Sequence, residues 1–430
     1  MPTPGISHAF YNLLVWAAQP LLRRKLARRA VAEQGYAVAV PERFGHYTQP
    51  AERSREMIWV HAVSLGEARA ADILLKALRD AVPGVRILLT HGTATGRAEG
   101  AKLLRSGDVQ VWQPWDTPAA VQAFLQHFRP RMGLLMETEV WPNLVLQSAR
   151  AGVPLALVNA RMSDKSMRSA LRWASLMQPT FGALSAVWAQ TEADAQRLRA
   201  LGARVQAVTG NLKFDAQPDP GQTEHGRVWR VSLNKPVCLL ASSREGEEAL
   251  WLAAIQQDPK NLSCVHWLIV PRHPQRVDEV QALLEGAGLQ VSRRSHWGDA
   301  GPHEHSQAQV WLGDSMGEMA LYYSLADVAL LGGSFAPLGG QNLIEAAACA
   351  CPVVMGPHTF NFLEAAQQAE SSGAARRVAD MPGAVHESLR LALSAADRQA
   401  MADAAIAFSQ AHKGAARRVT GLIKDWLAQG

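Results

Sequence analysis

A chain of 430 residues with 48% hydrophobic and 19% charged residues is too apolar for disorder and too long for one ordinary core, so two globular domains are expected. Its formal net charge of +5 suits an anionic ligand or an anionic membrane surface, and no nucleic-acid partner is expected. The four cysteines, Cys238, Cys264, Cys349 and Cys351, form no CxxC pair, which excludes a zinc ribbon and points to reduced structural thiols.

The first element is an apolar stretch, AFYNLLVWAAQPLL at 9–22, followed at once by Arg23, Arg24, Lys25, Arg28 and Arg29. A full membrane span needs about 20 apolar residues, and the segment lacks the basic start and cleavage site of a secretory leader. Two readings stand for residues 1–30. A helix lies in or dips into a membrane with its basic flank on anionic headgroups, or a helix packs on the protein itself. The segment precedes the first strand, so the sheet core does not obviously need it.

From residue 57 short apolar runs alternate with helical patterns such as EARAADILLKALRDA. Strands are expected at 57–63, 86–91, 109–114, 132–137, 154–160, 186–190 and 205–210. The stretch AQPDPGQTEHG at 216–226, with two prolines and two glycines, reads as a linker. A second series follows at 236–243, 265–272, 289–294, 309–315, 327–334 and 352–357, and then a helical C-terminus. The alternation predicts an α/β fold of two doubly wound Rossmann-like domains facing across a cleft. Their bounds are 31–215 and 227–410, with a C-terminal helix at 411–430.

In such folds chemistry sits at the carboxyl ends of strands. The first strand runs into HAVSLGEARAA, with Ser64, Gly66 and Glu67, and the fourth into METEVWPN, with Glu137 and Glu139. NARMSDKS follows the fifth strand, and GNLKFD, with Lys213, closes the first half. The second half brings ASSREGEE with Arg244, PRHPQR with Arg272 and His273, and LGDSMGEM with Glu318. It also brings a loop holding Gly332, Gly333, Gly339 and Gly340 just before a helix that carries Glu345. Acids gather in the first half, and groups suited to phosphate in the second.

Glycines and a helix start favour a phosphate. A sugar transfer needs a base for the acceptor hydroxyl, and a carboxylate at a helix N-terminus stays ionised, which suits Glu67. The departing nucleotide needs positive charge and N–H donors, which Arg272 and the glycine loop offer. No DxD motif stands at a strand end, so no essential metal or other cofactor is expected.

HAVSLGE, METEVWPNL, NARMSDKS, GNLKFD, PRHPQR, GDSMGEM, GGQNLIEAAA and PVVMGPHTFNF together resemble the 3-deoxy-D-manno-octulosonic acid (Kdo) transferase family of lipopolysaccharide assembly. The resemblance runs from residue 41 almost to the C-terminus, and the apolar-then-basic start is similar to the family's membrane-associating segment. It implies an inverting GT-B glycosyltransferase on the cytoplasmic face of a bacterial inner membrane, with CMP-Kdo as donor and the lipid A precursor lipid IVA as acceptor.

Carried over by position, Glu67 is the general base, and Glu137 and Lys213 stabilise the transition state. Pro271, Arg272, Met316, Gly317, Glu318, Asn342, Leu343, Ile344 and Glu345 contact CMP, the last through its ribose. Ser64, Gly66, His273, Gly339 and Gly340 are further candidates. The alternatives are another GT-B nucleotide-sugar transferase or epimerase, and a non-catalytic nucleotide or periplasmic binding protein.

Overall fold

The computed structural model describes residues 6–258 and 260–429. The chain forms two compact units, Met1–Asp215 with Gly414–Gly430, and Ala216–Lys413.

The first unit is built on a seven-stranded parallel sheet. Its strands are β1 (Ile58–His61), β2 (Ile87–His91), β3 (Val109–Trp112), β4 (Met132–Met136), β5 (Leu155–Ala160), β6 (Ala186–Ala189) and β7 (Val205–Val208). They lie in the order β3-β2-β1-β4-β5-β6-β7. Helices cover both faces, so these strands read as nearly unbroken apolar runs. One face packs Trp59, Leu135 and Leu157 against Phe124 and Leu144. The other packs Val60, Leu134 and Trp188 against Leu74 and Leu78. Strand order reverses between β1 and β4, where His61 sits beside Leu135. Loops leaving the carboxyl ends of two such strands border the ligand crevice of a doubly wound sheet.

The C-terminal helix Ala415–Gln429 belongs to this unit. Its Val419 and Ile423 join the second of those cores, and Asp215 accepts hydrogen bonds from the Gly414 and Ala416 N–H groups.

The second unit has its own seven-stranded parallel sheet. The strands are β8 (Val237–Ser243), β9 (His266–Pro271), β10 (Val291–Arg293), β11 (Val310–Leu312), β12 (Val328–Leu331), β13 (Val353–Met355) and β14 (Ala375–Arg377). Their order is β10-β11-β9-β8-β12-β13-β14, so the reversal falls between β8 and β12. All thirteen expected strands form, and β14 is added at the edge.

The expected linker 216–226 is different. Residues from Pro220 onward open a helix, Pro220–Val231, with Pro220 in its first turn and the Asp219 carboxylate accepting from the Gln222 N–H at 2.9 Å. Proline is tolerated there because its missing N–H would have no helical partner. A Cβ at Gly226 would lie 2.5 Å from the Leu321 carbonyl oxygen, so this helix packs hard on Met319–Leu325 and is part of the second unit.

At the N-terminus, helices Ile6–Ala17 and Gln19–Ala32 follow each other closely. The first is turned inside out. Its polar side faces the protein: His8 is buried, with Nε2 2.9 Å from Asn143 Oδ1, and the Tyr11 hydroxyl donates to Asp116 at 2.7 Å. Its apolar side faces out, with Leu13 59% and Trp16 67% exposed. A helix of a water-soluble surface has the opposite arrangement. Among the described residues, no helix is long and apolar enough to cross a membrane.

Candidate active site

Three carboxylates gather at the β1/β4 reversal. Ser64 caps the helix Leu65–Ala81 and its side chain accepts from the Glu67 N–H, while Glu67 Oε1 accepts the Ser64 hydroxyl at 3.0 Å. Glu67 Oε2 accepts the Val63 N–H at 2.8 Å. This is a capping box, in which a Glu three residues into a helix satisfies donors at its start. Gly66 lies between them with open space around its Cα apart from the Ser64 hydroxyl.

Expectation and structure part here. Glu67 does not behave as an ordinary ionised cap. Burial pushes its carboxyl up to about 7, partly offset by the Val63 N–H and the His61 ring, while the charges of Glu139 and Glu137 add to the rise. Desolvation outweighs the helix terminus. The result is a better base, because a group that titrates near neutral pH accepts a proton with more driving force than one near 4.5.

Glu137 is buried at a left-handed φ of 56°. It receives Lys213 Nζ at 3.0 Å on one oxygen and Arg161 Nε at 3.1 Å on the other. Lys213 reaches it from the short turn Leu212–Asp215, whose Leu212 N–H is held by the buried Asn159 side chain at 3.0 Å. The site thus pairs one neutralised carboxylate with one that burial keeps basic.

Glu139 takes the Trp141 indole N–H at 2.8 Å and stands 3.8 Å from His61 Nε2. Burial alone would raise its pKa, but His61 and Trp141 together bring it below the ordinary value. Thr90 fixes the other side of the imidazole: its hydroxyl is 2.8 Å from His61 Nδ1 and accepts the Trp59 indole N–H at 2.8 Å.

The second unit places its candidates on neighbouring strand ends. Pro271 ends β9, and the Arg272 N–H bonds to Ser243 O at 2.9 Å. His273 is held below its usual pKa by burial and then by Arg244 and Arg272, which marks a cationic corner. Past β11, Met316 is exposed, Gly317 has φ 81°, and Glu318 pairs with Arg294 at 3.1 Å. Asn342 caps the short helix Leu343–Ala348. Glu345 lies on that helix, while Leu343 and Ile344 are core side chains that leave only backbone for a ligand.

The glycine loop holds a surprise in Glu247. This fully buried carboxylate accepts from the N–H groups of Arg244, Gly333, Phe335 and Ala336 at 2.9, 2.6, 3.0 and 3.2 Å. The donors just after β12 therefore serve a protein anion and are not open to phosphate. Gly340 is engaged too, its N–H donating to the Gly333 carbonyl at 2.7 Å, so Gly339, at φ 91°, is left as the loop's glycine candidate for a phosphate.

The comparisons with known proteins fit this arrangement. Residues 39–216 match the family model described as 3-Deoxy-D-manno-octulosonic-acid transferase (kdotransferase). A 3-deoxy-D-manno-octulosonic acid transferase of Bordetella pertussis is 46% identical over 97% of this chain and 99% of its own length. The chain belongs to the Kdo transferase family. It is accordingly a glycosyltransferase of lipopolysaccharide biosynthesis. A family member from Haemophilus influenzae is 29% identical over 97% of this chain and 98% of its own. The crystal structure of UDP-GlcNAc 2-epimerase from Neisseria meningitidis bound to UDP-GlcNAc superposes with a TM-score of 0.58. At 15% identity, over 87% of this chain and all of that one, it shares the two-sheet GT-B type of fold and no more.

Two residues that contact the carboxylates of this site are not singled out by the sequence reading. His61 opens the HAVSLGE motif as the last residue of β1, and an imidazole ending a buried strand beside an acid loop was the available signal. Arg161, two residues after Asn159 in NARMSDKS, carries no signal, since its contact with Glu137 joins two separate strand ends.

Proposed function

We propose that the protein transfers Kdo from CMP-Kdo to lipid IVA with inversion, and that Glu67 is the general base. The observation that carries the reading is the carboxylate cluster at the β1/β4 reversal, with one acid raised to about 7 and a second neutralised by Lys213 and Arg161. An acceptor hydroxyl attacks the anomeric carbon of Kdo while Glu67 takes its proton. The bond to the CMP phosphate breaks in the same displacement, so configuration inverts and CMP leaves. Lys213 and Arg161 offset the charge of Glu137 beside the reacting groups, and no metal is called on for the step. In the second unit, Arg272 and the turn at Gly339 receive the phosphate, and Glu345 accepts from ribose hydroxyls.

The N-terminal helices seat the enzyme on the cytoplasmic face of the inner membrane. The outward Leu13 and Trp16 enter the lipid boundary. Arg23, Arg24, Lys25, Arg28 and Arg29 all lie exposed on the next helix, where each adds roughly 1 kcal/mol near an anionic surface.

The test is incubation with lipid IVA and freshly generated CMP-Kdo, followed by mass spectrometry of the lipid. Gain of one or more Kdo masses, inhibited by CMP and not by UDP, is expected, and the gain counts the sugars. No gain, or inhibition by UDP alone, overturns the reading.

A further inference from the structure

The inverted N-terminal helix is keyed into the protein at one place. Tyr11 donates to Asp116 Oδ2 at 2.7 Å, His8 Nε2 meets Asn143 Oδ1 at 2.9 Å, and the Asn143 amide donates to Asn12 Oδ1 at 2.8 Å. Asp116 and Asn143 are themselves buried and joined. The Asp116 carboxylate accepts the Asn143 and Leu144 N–H groups at 3.0 and 2.8 Å, and its carbonyl accepts the Asn143 side chain at 2.7 Å. These are the first free donors of the helix Pro142–Arg150. Its own cap residue, Trp141, makes no side-chain cap bond, so Asp116 performs that task from the loop after β3.

Trp141 also ends the acid loop, with its indole on Glu139. A path therefore runs from the outer helix through its hydrogen bonds to Asp116 and Asn143, and on along the backbone through Pro142 to Trp141, whose indole holds Glu139 near His61. Asp116 and Asn143 in its middle are buried and paired with each other, while Trp141 at its end is 41% exposed.

We propose that Asp116 and Asn143 are positioning residues through which the N-terminal helix, seated on the protein, sets the geometry of the Glu137–Trp141 loop, so that the packing of this helix and sugar transfer are coupled. The inference rests on the transferase reading above, and takes the helix beyond an anchor. An anchor needs only the outward apolar side. A polar side that holds the residue capping the Pro142–Arg150 helix has a different use. With the helix seated, its polar residues complete the Asp116–Asn143 cluster and the acid loop is fixed. With the helix detached, two buried polar groups lose partners, and the start of the Pro142–Arg150 helix loosens.

The test compares two double variants of the full chain. Tyr11→Phe with His8→Gln alters the inward side, and Leu13→Ser with Trp16→Ser alters the outward side. Vesicles of phosphatidylethanolamine with phosphatidylglycerol report attachment by co-sedimentation, detergent-dispersed lipid IVA reports kcat and KM, and amide hydrogen exchange reports the backbone at 139–144. The inward variant is expected to stay on vesicles and lose roughly tenfold in kcat, the effect of about one hydrogen bond. Its KM for CMP-Kdo should hold within about twofold, and exchange at 139–144 should rise about tenfold. The outward variant should leave vesicles yet keep its kcat on dispersed acceptor. Unchanged exchange in the inward variant, or unchanged kcat beside raised exchange, overturns the coupling. If Tyr11→Phe with His8→Gln unfolds by circular dichroism, Tyr11→Phe alone is measured in the same way. Failure of the transferase reading looks different: wild-type protein adds no Kdo, while the exchange comparison still decides whether the helix holds the loop.

Discussion

Replacing Glu67 by Gln should abolish transfer and, at alkaline pH, stabilise the protein. The carboxyl is raised from 4.5 to about 7 when folded, so the fold favours its protonated form. Stability from this group is fully present below pH 4.5 and is lost as pH rises through about 7. Above that pH an ionised Glu67 costs the fold about 3 kcal/mol, at 1.36 kcal/mol per pKa unit. Glutamine removes that cost but has one acceptor oxygen for the two donors, Val63 N–H and Ser64 O–H, a loss of about 1 kcal/mol. The net gain near pH 8.5 is about 2 kcal/mol. For a unit of this size that raises its melting point by about 4–8 °C.

The assay is calorimetry of both proteins from pH 4.5 to 8.5, beside transfer rates. The variant should lead at pH 8.5, lose its lead toward pH 5, and fall slightly behind at 4.5, with transfer down about 10²–10⁴-fold. A difference in melting point that stays flat with pH would show that folding leaves the Glu67 pKa unchanged, and would refute the argument.

Glu139→Gln removes a charge that raises Glu67, so the acid limb of the kcat/KM profile should move to lower pH; a limb that stays in place would separate the two acids. Gly339→Ala forces a Cβ to within 2.5 Å of Asn361 and the Phe360 ring at a φ of 91°. Calorimetry should show CMP affinity falling about tenfold or more from the strain, and unaltered affinity would move the phosphate away from this turn. Glu247→Ala leaves four N–H donors without their carboxylate and should destabilise the second unit by about 3–5 kcal/mol in urea. A cost below about 1 kcal/mol would mean that water replaces it.

The winding of both sheets was legible because each buried parallel strand is an apolar run between helical patterns. The edge strand β14 was not, since its residues, Ala375, Arg376 and Arg377, are mostly polar and it has one neighbour. Residues 216–226 misled for a local reason: Pro220 and Gly221 break a helix inside it, yet are harmless in a first turn capped by Asp219. The Glu67 position was legible from its motif, but its protonation was not, because desolvation depends on residues brought in by β4. The same holds for Glu247, three of whose four donors lie at least 86 residues further along the chain, and for His8 with Asn143. Motifs show which side chains are present at a strand end; whether they are charged is decided by what the fold places over them.

The helix Ala415–Gln429 completes the first unit, although the whole second unit is translated before it. At 5–20 residues per second, roughly 10–40 s separate the emergence of Asp215 from that of its partners Gly414 and Ala416. During that interval the surface that Val419 and Ile423 will cover, around Leu74 and Trp188, is bare on the nascent chain. Vectorial folding, in which an N-terminal domain is finished before the next begins, is therefore closed to this protein. A ribosome that stops a few codons early leaves the defect in the half of the enzyme that carries the acids.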